Sequence, residues 1–198
     1  RQRPSAVHIR MPTPTLHGKS SHAALRAAQR VWFKANLALV KGSEFDEALF
    51  FRAISVSGLR ALLIGRRALI ALGIPVMTAD YDFWIHIDDI ERFNAEALPF
   101  DLIPDRTPLE ARQSGRYRLQ NDELVDVLVA RSVPGPDGPL VFDDVWSRRN
   151  TLGPNDGDGN ICVPGLDDLI ASKRIGSRPK DAEDVRLLQQ LRKQRESL

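Results

Sequence analysis

Cysteine is nearly absent from this chain: Cys162 is the only one in 198 residues. An internal disulfide is therefore excluded, and a reducing, cytoplasmic setting is expected. Set between Ile161 and Val163, the thiol reads as a strand-core residue, buried and inert. No apolar run approaches the ~20 residues that cross a bilayer. Neither a Walker A sequence nor a GxGxxG fingerprint occurs, and no internal repeat is visible. Acidic residues are missing from one end. Arg1 to Ser43 holds eight Lys or Arg and no Asp or Glu, which leaves Glu44 to Leu198 with 20 basic against 26 acidic residues. Taken whole, the chain is ordinary for a globular protein, with 42% hydrophobic and 27% charged residues.

That asymmetry divides the chain into a basic arm, residues 1–43, and an acidic body, residues 44–198. The arm begins with a Pro- and Thr-rich stretch without periodicity. A helix is expected from Ser20 or Ser21 to about Val40, with Leu25, Ala28, Trp32, Ala35 and Leu39 as its apolar stripe. Arg26, Arg30 and Lys34 flank the stripe, as an RNA-contacting edge or as a solvated helix face. An acid-free, Arg-rich arm also has the composition of an organelle transit peptide, but its helix looks built to pack.

The body is organised around Leu62 to Ile87, LLIGRRALIALGIPVMTADYDFWIHI. Leu62-Leu63-Ile64 is a buried strand ended by Gly65, and Arg66 to Leu72 is a short helix stopped by Gly73 and Pro75. From Asp80 to Ile87 the alternation is strict: Tyr81, Phe83, Ile85 and Ile87 face one way, Asp80, Asp82, Trp84 and His86 the other. Two carboxylates on one strand face repel unless a cation or proton neutralises them. Their hard oxygens suit Mg2+ or Mn2+ better than zinc. The Gly turn opening a helix upstream offers backbone N–H groups to a phosphate. Together these features point to phosphoryl or nucleotidyl transfer.

The turn Gly65-Arg66-Arg67-Ala68 with Thr78-Ala79-Asp80-Tyr81-Asp82 resembles the polymerase-β-like nucleotidyltransferase superfamily, in particular minimal bacterial members of the AbiEii-like, toxin–antitoxin-associated kind. Asp126 in Leu124 to Val129 matches that family's third strand carboxylate, and Lys173 with Arg178-Pro179-Lys180-Asp181 matches its usual end. The likeness covers about Phe45 to Leu191. It implies two Mg2+ (or Mn2+) ions held by Asp80, Asp82 and Asp126, with Asp126 helping to take the acceptor proton. It also implies phosphate contacts from Gly65, Arg66 and Lys173, a nucleoside triphosphate donor, an RNA or protein acceptor, and a cognate toxin or antitoxin partner. The turn departs from the family pattern at its second small residue, here Arg66, a side chain able to contact phosphate itself. Read without the resemblance, Asp126 pairs equally well with a nearby Arg, Lys173 is an exposed helix lysine, and His86 is a half-buried structural residue.

The remaining expectations concern the frame. A largely buried helix runs from about Phe45 to Val56. Asp88 and Asp89 cap a helix to about Leu98. Pro99 to Pro108 is loop with a short strand at Phe100 to Ile103, and Val133 to Pro139 is an exposed loop. Val141 to Arg149 is helical, and Gly153 to Gly159, with Asn155, Asp156 and Asp158, is a hairpin turn rather than a calcium loop. Asp167 to Lys173 and a helix from Pro179 close the chain, with Asp181, Glu183 and Asp184 set against the helix dipole. The whole is expected to be α+β: a small mixed sheet with helices packed on one face, plus N- and C-terminal helices. Two alternatives stand beside the transferase: a catalytically degenerate binding module or antitoxin, for which Arg66 argues, and an Asp-x-Asp glycosyltransferase.

Overall fold

A computed structural model describes residues 45–121, 123–153, 159–176 and 178–197. The chain divides into two units, Arg1–Ser43 and Glu44–Leu198. The first, with the helix expected in it, lies outside the described residues, as do Asn155, Asp156 and Asp158 of the turn cluster. The second is α+β, built on a five-stranded mixed sheet.

Helix α1 (Glu47–Val56) starts where Asp46 accepts a hydrogen bond from the Leu49 N–H at 3.0 Å. It leads through a Gly58 turn to β1 (Ala61–Ile64), then α2 (Gly65–Ala71), then β2 (Tyr81–Ile85). A 3-10 turn (Ile87–Asp89) opens α3 (Ile90–Ala97), followed by β3 (Ile103–Pro104), α4 (Pro108–Ser114), β4 (Arg116–Gln120) and β5 (Leu124–Leu128). Strand order is β1-β2-β5-β4-β3. β2 and β5 are parallel, and the other neighbours are antiparallel. Two small hairpins follow, β6 (Ser132–Val133) with β7 (Leu140–Val141) and β8 (Asn150–Leu152) with β9 (Ile161–Val163), separated by α5 (Phe142–Ser147). Helices α6 (Leu166–Arg174) and α7 (Pro179–Glu196) close the body.

The alternation along β2 decides which face is core. Tyr81, Phe83 and Ile85 enter the main core with Val125 and Val127 of β5 and Tyr117 and Leu119 of β4. Phe50 of α1 is fully buried there, its ring 6.0 Å from Phe83 and 5.3 Å from Phe100 in edge-on contacts. On the opposite face, Leu62 and Trp84 pack against Phe142 and Val145 of α5. Helices therefore cover both faces, and α5 covers only part of the second. The uncovered part of that face carries Asp82 and Asp126.

Several local expectations change. Only Phe50 and Ile54 of α1 are buried, while Leu49 and Val56 face outward, so the helix is amphipathic rather than enclosed. Asp89 does not cap α3; it is buried and accepts from the Arg60 backbone N–H and from Arg60 Nε at 2.9 Å. His86 lies beyond the strand, where its Nδ1 accepts from the Asp88 N–H and its ring meets Phe142. Asp181 and Asp184 do more than favour the start of α7: both are buried and ion-paired. Cys162 points away from Ile161 and Val163 and is only half-buried. The stretch after Phe100 holds α4 and β4. Thr107-Pro-Leu-Glu110 forms a full capping box with Pro at the first helical position. Replacing Thr107 by Ala is expected to cost about 1 kcal/mol, read as a lower urea midpoint with an unchanged slope.

Candidate active site

The site begins with strand register. Asp82 of β2 lies directly opposite Asp126 of β5 in the parallel pairing, so both side chains emerge side by side on the uncovered face. Asp80 stands one residue before β2 and is exposed, at the rim. The start of β2 is fixed from behind. The Tyr81 hydroxyl donates to Glu47 Oε2 at 2.6 Å, Arg67 Nη1 donates to the same oxygen at 2.6 Å, and the Arg67 guanidinium lies 4.1 Å from the centre of the Tyr81 ring. Three elements, α1, α2 and β2, are tied together at that point.

Gly65 is where α2 meets the site. It has φ +63, and a Cβ placed there would lie 2.0 Å from Asp82 Oδ2. Glycine is thus required twice, for the backbone conformation and for the approach of the carboxylate. Asp82 accepts no hydrogen bond from a described residue. Burial raises its pKa first, the neighbouring Asp126 charge adds to this, and Lys173 opposes it. Asp126 is partnered differently: Arg118 Nε, across the antiparallel β4–β5 pair, donates to its Oδ1 at 2.6 Å. The Asp126–Arg pairing that the residues alone left open is present, and so is the juxtaposition with Asp82.

A cleft of about 310 Å³ opens before these groups, lined by Gly65, Arg66, Asp80, Asp82, Asp126, Lys173, Arg178 and Lys180 among others. All six residues singled out in the sequence thus border one cavity. Their charges are not equally available. Lys173 is buried, its Nζ 2.8 Å from Asp184 Oδ2 and 3.8 Å from Asp181 Oδ1. Arg66 also binds Asp184, at 3.0 Å, and reaches Glu183 at 3.3 Å. Arg178 pairs with Asp181 at 2.8 Å and holds that carboxyl below the usual range. Lys180 makes no ion pair with a described residue. Two contributors were given no role of their own in the sequence. Arg118 was only one of the arginines near Asp126, although the alternation of Arg116 and Arg118 with Tyr117 and Leu119 marks its face, and Lys180 was only part of the Arg178-Pro179-Lys180-Asp181 stretch.

Among the described residues, no three His, Cys, Asp or Glu side chains converge to enclose a metal unaided. The Asp82–Asp126 pair nevertheless suits a hard cation. Mg2+ commonly binds through one or two carboxylates, completing its shell with water and substrate phosphate, and Asp82 has no donor among the described residues.

No family model matches the chain, and no curated protein matches it. Among solved structures it is similar to a crystal structure of a candidate nucleotidyltransferase from Thermotoga maritima, at 14% identity and a TM-score of 0.48, over 83% of this chain and 91% of that one. At that identity most side chains differ, so the chemistry is read from this chain's own residues.

Two outcomes test the electrostatics. With its folded pKa raised, ionised Asp82 costs stability above that pKa, and the cost vanishes as pH falls below the unfolded value. Asp82→Asn should therefore melt higher than wild type at pH 7, and the gap should close on acidification. Asp184→Ala should lower unfolding free energy by about 3–5 kcal/mol, since it leaves buried Lys173 without its closest partner, as measured by urea denaturation.

Proposed function

We propose that the acidic body is a metal-dependent nucleotidyltransferase that moves a nucleoside monophosphate from a nucleoside triphosphate to a hydroxyl acceptor. The observation that carries this reading is the in-register Asp82–Asp126 pair, bordering a cleft that Lys173, Arg178 and Lys180 also line. Asp82 and Asp126, with Asp80 at the rim, would hold Mg2+ or Mn2+. Bound there, the ion would supply Lewis-acid stabilisation of the triphosphate and the acceptor oxygen.

In the reaction, the acceptor oxygen attacks the α-phosphorus and forms a new P–O bond. The bond from the α-phosphorus to the bridging oxygen breaks, and pyrophosphate leaves with that oxygen. The hydroxyl proton passes to the Asp126 oxygen that Arg118 does not engage. Lys180, which makes no ion pair with a described residue, has charge to give the phosphates. Arg66 and Lys173, expected as phosphate ligands, act here mainly through Asp184: they hold α2, α6 and α7 around the cleft. Gly65 keeps the path to Asp82 open.

The commitment of Arg66 and Lys173 to Asp184 also supports a second reading, a binding module that holds a nucleotide without transferring it. A glycosyltransferase would draw on Asp80 and Asp82 together, and Asp80 lies outside the strand. Incubation with each triphosphate, labelled at the α- or the γ-phosphate, or with a labelled nucleotide-sugar, together with Mg2+ and either total RNA or the protein itself as acceptor, separates these readings. Transfer of α-label but not γ-label is expected, reduced at least about 100-fold by Asp82→Asn, the scale of losing one transition-state contact. No transfer from any triphosphate, or equal transfer by the variant, would favour the binding module. Transfer from a nucleotide-sugar alone would favour the glycosyltransferase.

A further inference from the structure

A second concavity lies on the other side of the carboxylate pair. It is a groove of about 470 Å³ lined by Asp105, Arg106, Arg116 and Arg118 together with Asp82 and Asp126. Three guanidinium groups face one acidic residue apart from the site carboxylates. Arg116 makes no ion pair with a described residue, and Arg106 Nη1 donates to the Arg116 carbonyl oxygen at 3.1 Å. The Asp105 carboxylate is turned to the Arg118 backbone N–H at 2.8 Å. The aromatic residues along the groove, Phe83 and Tyr117, have their rings in the core on the opposite face, so no stacking surface is presented. Charge, without rings, recognises phosphate rather than a base or an apolar group.

Resting on the transferase reading, we propose that this groove binds a phosphate ester carried by the acceptor, and that Arg118 exchanges between that ester and Asp126. Register supplies the geometry. Arg118 lies opposite Asp126 and Arg116 opposite Leu128, so the two arginines share a strand face about 6.8 Å apart along β4. An acceptor whose hydroxyl reaches the carboxylates brings its nearest phosphate beside Arg118. Energetics make the exchange inexpensive. The Arg118–Asp126 pair is 54% and 38% exposed, and such exposed pairs contribute only about 0–1 kcal/mol. The Lys173–Asp184 pair, 10% and 0% exposed, has no comparable freedom. With Arg118 drawn onto phosphate, both oxygens of Asp126 become open to a cation or a proton. Arg118 is thus a positioning residue that couples acceptor arrival to the readiness of the pair.

The test is binding without any triphosphate, in the full chain. Calorimetry with ribose 5-phosphate and with a short single-stranded oligoribonucleotide distinguishes a free from a chain-borne ester. Binding of either probe, weakened about tenfold or more in Arg106→Ala/Arg116→Ala, is expected. Binding of neither probe, or equal binding by the double variant, overturns the groove assignment. A separate Mn2+ titration by electron paramagnetic resonance reads the exchange. Arg118→Gln should tighten Mn2+ binding severalfold, because a competing cation has been removed. Unchanged or weaker binding would leave Arg118 as a fixed structural partner and overturn the exchange. Because neither measurement depends on turnover, a failed groove is distinguishable from a failed transferase.

Discussion

Parallel pairing of β2 with β5 sets two like charges side by side, and much of the body can be understood as a response to that placement. An antiparallel neighbour on either outer side supplies what the pair needs. β1 ends at the Gly65 turn that makes room for Asp82, and β4 brings Arg118 to Asp126. Asp82 is left with a raised pKa and no hydrogen-bond donor among the described residues, while Asp126 has a guanidinium at 2.6 Å. This inequality gives two chemically different oxygens from one residue type. It also leaves the body with a local electrostatic deficit that a bound cation would relieve.

The basic groups around the site carboxylates fall into two classes by the burial of what they are paired with. Lys173, Arg66 and Arg178 converge on Asp184 and Asp181, carboxylates that are almost wholly inaccessible. Removing one member would strand another in low dielectric, so this group behaves as a structural knot between α2, α6 and α7. Lys180, Arg116 and Arg118 sit where water reaches them, and their charges can be transferred to a ligand at small cost. Walls built from both kinds would keep their shape if the outer charges were exchanged.

How much of this was legible in the residues depends on the range of the contacts involved. The Asp80 to Ile87 alternation correctly separates Phe83 from Asp82, and Gly65 marks the turn, because both are local properties of the chain. The juxtaposition of Asp126 with Asp82 needs a strand pairing across 44 residues of sequence, and it came from a resemblance, not from spacing. The ion pairs that Arg66 and Lys173 make were hidden because their partner Asp184 lies 118 residues from one and 11 from the other. Asp181 and Asp184 look like helix-start acids because that local explanation suffices until burial is known. The α4–β4 segment is a different case. Its Thr107–Glu110 box and two-residue alternation were both in plain view, and were hidden only by the prolines around them.

The short strand β3 has one more consequence. At two residues, with Pro104 as the second, it offers almost no ladder for another chain to extend. The far margin of the sheet, β1, is flanked by the β8–β9 hairpin. Both borders are therefore guarded, and a body whose centre is rich in Val, Ile and Phe carries little risk of edge-to-edge self-association into fibrils.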